Sequence, residues 1–117
     1  MNTANLENCK RLYELSGWED GKLFPVDGGN YPTYSAGYLL RHLPETLDLE
    51  KTTVKDLFVA KFPNGYLADY RYRDPHQQNR GGGWWHRYDK AKEVEADTPE
   101  DALCLLAIKL FETGVLK

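Results

Sequence analysis

Between Leu57 and Tyr72 the chain reads Leu-Phe-Val-Ala-Lys-Phe-Pro-Asn-Gly-Tyr-Leu-Ala-Asp-Tyr-Arg-Tyr, and no other stretch limits the fold so strongly. β-branched and aromatic residues flank Asn64-Gly65, the dipeptide that most easily supplies the two positive φ angles of a tight hairpin turn. A loop at Asn64-Gly65 pairs Pro63 with Tyr66, Phe62 with Leu67, Val59 with Tyr70 and Leu57 with Tyr72. One face then carries Leu57, Val59, Tyr66, Ala68, Tyr70 and Tyr72. The other carries Phe58, Ala60, Phe62 and Leu67, with Asp69 and Arg71 towards its edges. A sheet that is apolar on both sides needs cover on both sides. Leaving three large side chains wet forfeits several kcal/mol at roughly 25 cal/mol per Å2. The expectation is an α+β chain built as a three-layer α-β-α sandwich, with an antiparallel sheet of three to four strands and helices on both faces. The alternative is a tyrosine face left half in water, which tyrosine tolerates.

The 117 residues suffice for one domain, 1–117, with a single core. At 41% hydrophobic and 28% charged, with a net charge of -3, the composition is that of an ordinary globular chain. Nothing global points to nucleic acid or membrane, and no apolar run reaches the length of a membrane span. The N-terminus lacks a secretory signal, so a cytoplasmic location is expected by default. Cys9 and Cys104 sit among apolar neighbours in helix-like segments and read as buried thiols rather than as a disulfide or as ligands.

Residues Thr3 to Ser16 have helical spacing, with Leu6, Cys9, Leu12, Tyr13 and Ser16 near one stripe. Gly17 suits a left-handed helix end, and Trp18 is expected to fold back on it. Glycines and prolines punctuate Glu19 to Thr33, which predicts a loop pinned by Phe24 and Trp18. Thr33 or Ser35 can cap the next helix, whose apolar set is Ala36, Leu39, Leu40 and Leu43, and Pro44 stops it. Leu47 to Thr53 reads as a connection. After the hairpin, Asp74 to Gly83 reads as a flexible tip, Trp84 to Tyr88 as a third strand and Glu93 to Ala96 as a short fourth. Thr98 then caps a helix with Pro99 at its first position and Glu100 and Asp101 in its first turn. Leu103, Leu106, Ala107, Leu110 and Phe111 form its stripe. Ala102, Cys104 and Ile108 widen it, as in a deeply buried helix. Leu105 lies on the polar side and is a candidate contact for a partner chain.

Three stretches together resemble the phage ABA-sandwich domain family, small proteins of phages and prophages. They are Leu15-Ser16-Gly17-Trp18, Tyr31-Pro32-Thr33-Tyr34-Ser35, and the run Ala96-Asp97-Thr98-Pro99-Glu100-Asp101-Ala102-Leu103-Cys104-Leu105-Leu106-Ala107. The resemblance implies an α-β-α layered domain and brings no catalytic residue or cofactor with it. The segment from Asp20 to Tyr31 and the Gln/Gly tip depart from the family pattern. A weaker likeness, hairpin then strand then Asp-Thr-Pro-Glu-Asp-Ala, is to HicB-type antitoxins, but the two preceding helices argue against it.

The one suggestive constellation runs from Tyr70 to Lys90. Arg71, Tyr72, Arg73, His76, Arg80, Trp84, Trp85, His86 and Arg87 form a candidate ligand or partner surface. The segment has four arginines and one lysine against two aspartates, a net +3 within a chain of net -3. Arginines hold phosphates and exposed aromatics stack on bases, so a nucleotide or single-stranded nucleic acid is one reading. The competing reading is a half-buried strand whose Arg stems lie over Trp and Tyr. His42, near a helix C-terminus, reads as structural. His76 and His86 lack metal-site spacing. Gly81-Gly82-Gly83 is no phosphate loop, because no lysine-serine follows. No catalytic group, cofactor or metal is expected. The expected function is a small phage or prophage accessory protein that binds a protein partner, with a homodimer as one form of that binding. The alternative is nucleic-acid binding through Arg71, Arg73, Arg80 and Arg87.

Overall fold

A computed structural model describes residues 2–19, 23–26, 28–44, 46–50, 53–72 and 94–116. The first helix, α1 (Leu6–Ser16), begins three residues later than the periodicity predicts. The Asn5 side chain accepts the Asn8 N–H (2.8 Å) and so sets the cap there. Ala4 is held outside the helix, its N–H donating to the Tyr34 carbonyl. Cys9 and Leu12 are sealed, whereas Leu6 from the expected stripe is exposed. Gly17 ends the helix at φ 71°, its N–H returning to the Tyr13 carbonyl.

The segment read as a loop contains a hairpin, β1 (Leu23–Val26) and β2 (Gly29–Pro32). Val26 pairs with Gly29, and Gly28 in the turn takes φ 83°. Ser35 caps α2 (Ala36–His42) by accepting the Tyr38 N–H. Leu43 leaves the helix in an extended conformation, φ -72° and ψ 136°, as a residue before proline must. Leu39 and Leu43 are buried as expected, but Leu40 is 47% exposed and Tyr38 occupies the core in its place. The connection expected after Pro44 is largely a strand, β3 (Thr46–Glu50).

The central hairpin consists of β4 (Thr53–Phe62) and β5 (Gly65–Tyr72). Its register differs from the expected one by two residues: Phe62 pairs with Gly65, Val59 with Ala68 and Leu57 with Tyr70. The loop is therefore Pro63-Asn64. Proline locks φ near -65°, which excludes a turn with two positive φ values there. The positive value falls on Gly65 instead, at 149°. A shift of two preserves the side-chain faces, so the expected face composition stands. β6 (Val94–Ala96) pairs with β5, giving the antiparallel order β3-β4-β5-β6. The expected third strand, Trp84–Tyr88, and the Gln/Gly tip lie outside the described residues.

Thr98 caps α3 (Pro99–Glu112), its hydroxyl accepting the Asp101 N–H (3.1 Å). This helix is buried on most of its circumference, because it meets β5 and β6 on one side and α1 and α2 on the other. Leu12, Leu39, Leu103, Leu106 and Leu110 close the core around it. Leu105 is half-buried and packs on that core, so it is not the free contact expected for a partner. Trp18 packs on the other two helices rather than back on α1, its ring edge-on to Phe111 of α3 at 5.3 Å and 5.5 Å from His42 of α2.

The α+β class and the antiparallel sheet stand as expected, with four strands. A second helical layer on the sheet is absent among the described residues. Among the described residues α3 is the helix laid on the sheet, and α1 and α2 stack behind α3. Leu57, Tyr66, Ala68 and Tyr70 from the sheet join this helical core. On the opposite face Leu67 and Asp69 are also buried, at 3% and 1% exposure, without joining it. Both faces of β5 are thus shielded from water, but Val59 and Phe62 on β4 are not.

Candidate functional site

Of the surface proposed from sequence, Arg73, His76, Arg80, Trp84, Trp85, His86 and Arg87 lie outside the described residues. Arg71 and Tyr72 close β5, where their backbones pair with Asp56 and Lys55. The described residues assemble a different site, at the far end of the same hairpin.

There Phe62, Pro63, Asn64, Gly65 and Tyr66 meet Glu95, Ala96 and Asp97 around an open cavity of about 470 Å3. Strand pairing builds it. Tyr66 sits opposite Ala96, which brings the exit of β6 against the β4–β5 turn. Gly65 permits the approach: a Cβ there would lie 2.6 Å from the Ala96 carbonyl oxygen, inside any real contact. Thr98, the next residue but one after Ala96, starts α3, so the cavity is held between a tight turn and a capped helix.

The lining has two chemical parts. Phe62 is 47% exposed, and Tyr66 is half-buried with the Lys61 ammonium 6.0 Å from its ring centroid. Glu95 and Asp97 present exposed carboxylates, and no basic residue lines the cavity. An aromatic wall beside two carboxylates suits a long basic side chain, whose stem packs on the ring and whose head meets the acids. It does not suit a phosphate. The lining also lacks Ser, Cys and His, so it holds no nucleophile paired with a base. The sequence carried a signal for this site that was read only as turn chemistry: an exposed Phe-Pro-Asn-Gly tip facing Glu95-Ala96-Asp97.

A second cluster is structural. Tyr34 donates its hydroxyl to the Trp18 carbonyl, and Tyr38 donates to the Glu19 carbonyl (3.0 Å). Tyr70 donates to the Pro44 carbonyl (2.7 Å). Each buried tyrosine thus satisfies a main-chain carbonyl just past a helix end, where helix hydrogen bonds run out. Burial raises the Tyr34 and Tyr70 hydroxyls well above their ordinary value of 10.0, so both stay neutral donors. His42 stacks on Tyr38 at 3.9 Å and donates Nδ1–H to the Tyr38 carbonyl, as a structural histidine does.

Among the described residues no group of three or more His, Cys, Asp or Glu could hold a metal ion, and no helix is long and apolar enough to cross a membrane. Compared with protein-family models, with curated proteins and with solved structures, the chain matches none of them. The fold and site together define a small α+β domain with an open, aromatic and acidic cavity at one end of its sheet.

Proposed function

We propose that the chain is a protein-binding module, a small phage or prophage accessory protein, that receives a basic segment of its partner at the hairpin tip. The observation that carries this reading is Phe62, left in water at the mouth of a cavity walled by Glu95 and Asp97. Central aromatic side chains supply most of the energy of protein recognition, and a ring of neighbouring contacts excludes water. The phage origin draws its support from the three sequence motifs alone, and the gene neighbourhood tests it.

The binding reading is tested by NMR titration with two blocked tripeptides, Arg-Leu-Arg and Glu-Leu-Glu. The basic peptide is expected to shift the signals of Phe62, Tyr66 and Glu95 and to saturate on the order of millimolar, as befits a few contacts. Phe62→Ser weakens it about fivefold, the scale of a lost aromatic contact. Equal shifts with both peptides, or none, overturn the reading. A second reading, nucleic-acid binding through Arg71, Arg73, Arg80 and Arg87, rests on the net +3 of residues 70–90. It requires an affinity that falls steeply with salt and is weakened by Arg80→Ala.

A further inference from the structure

The two cysteines of this chain lie far apart in sequence and side by side in the fold. The first turns of α1 and α3 are pinned together by Asp101. Its Oδ1 accepts the Asn5 N–H (2.7 Å) and the Asn8 side-chain N–H (3.3 Å). One helical turn beyond Asn5 is Cys9, and one turn beyond Asp101 is Cys104. Farther along the same two helices Arg11 pairs with Glu112 at 3.0 Å. The contacts at each end hold the thiols in register between them, and both are sealed in the core at 0% exposure. Cys9 donates its S–H to the Ala4 carbonyl (3.5 Å).

We infer that Cys9 and Cys104 are an oxidative modification site, which closes to an intramolecular disulfide between α1 and α3 when the chain meets a low-molecular-weight disulfide such as oxidised glutathione. The two thiols are not equivalent. The neighbouring Cys104 thiol favours negative charge on Cys9 and holds its thiol below the ordinary value, whereas Cys104 itself is pushed up by Cys9 and by burial. Cys9 is therefore the attacking sulfur. Its thiolate attacks one sulfur of glutathione disulfide, and the glutathione thiolate it expels takes up the proton that Cys9 gave up. The Cys104 thiol then displaces the second glutathione from Cys9 and yields its proton to that leaving thiolate. Two protein thiols are oxidised to one disulfide, and one glutathione disulfide is reduced to two glutathione thiols. Access is through the N-terminal segment. Among the described residues, the bonds from Ala4 to Tyr34, from Asn5 to Asp101 and from the Cys9 thiol to Ala4 tether the backbone that covers Cys9. A segment held by a few bonds opens locally at lower cost than the whole fold.

The bond would close a loop spanning most of the chain, the case in which cross-linking removes most freedom from the unfolded state. The test incubates the full reduced chain with millimolar glutathione disulfide, then alkylates it with N-ethylmaleimide under denaturing conditions. The expected product takes up no maleimide, gives a linked Cys9–Cys104 peptide on mapping, and melts about 5 °C or more above the reduced form. Dithiothreitol reverses all three. Cys9→Ser is expected to leave Cys104 free, because the attacking sulfur is gone. Three outcomes overturn the inference: two maleimides on the wild-type chain, a persistent glutathione adduct on one cysteine, or a covalent dimer. A linked product whose melting point does not rise overturns it as well, since the bond would then distort the fold.

Discussion

At its middle, the β4–β5 hairpin buries Ala68 and Tyr70 against α3 so completely that Tyr70 is 1% exposed. On β4 of the same hairpin, Phe62 at the tip and Val59 directly opposite Ala68, of the same apolar class, stand 47% and 38% exposed. The difference is not in residue type. The middle of β5 faces a helix that is itself packed on its far side, so every large side chain there has neighbours in all directions. β4 lies farther from α3 than β5 does and barely meets it, and Phe62 sits on the ribbon's opposite face. Burying a large apolar side chain is worth about 1.5–3 kcal/mol. A fold that leaves this gain unused at one end has that surface available for a second molecule.

The contrast can be broken most forcefully from the buried end. Leu106→Ala removes a side chain with no exposure and few ways to collapse the hole. We expect a loss of about 2–5 kcal/mol in urea unfolding. A loss under about 1 kcal/mol would mean that the helical end is as loosely packed as the tip.

Tyr70→Phe sharpens the comparison at the boundary between sheet and helices. It leaves the half-buried Pro44 carbonyl without its donor, and about 1 kcal/mol should be lost. The pH response carries a second signature. Burial raises the folded-state value of Tyr70 above 10.0, so its stabilising contribution is intact below pH 10. It is lost as the pH climbs from there towards the raised value, because the unfolded chain releases the proton first. Thermal melts of the wild type should therefore fall off above pH 10, and Tyr70→Phe should fall off less steeply.

The smallest effect belongs to the tip. Phe62→Ser should change stability by about 0.5 kcal/mol or less, as exposed substitutions do, while weakening the basic peptide. A large loss in urea unfolding would show that Phe62 serves the fold rather than a partner.

Helix ends were the most legible part of the chain. Gly17, Ser35, Pro44, Thr98 and Pro99 each do what their local chemistry predicts. Four of these residues, Gly17, Ser35, Thr98 and Pro99, lie within the three motifs behind the family resemblance. The β1–β2 hairpin was missed although Asp27-Gly28 stands between Leu23-Phe24 and Tyr31, because flanking glycines and prolines outweighed a short apolar run. β3 is nearly as short: Thr46–Glu50 alternates polar and apolar residues strictly but over only five positions, and it is a strand through its pairing with β4. The candidate site was least legible, since an exposed phenylalanine and a buried one look alike in a string of letters.

What the residues alone determined is the set of starts and stops, together with which side chains share a face of the central ribbon. Both follow from backbone sterics and from hydrogen bonds that span at most a few positions. What only the tertiary structure decided is the two-residue register of that ribbon, the stacking of α1 and α2 behind α3, the meeting of Cys9 with Cys104, and the wetness of Phe62. Each of these depends on which surfaces, remote in sequence, exclude water from one another.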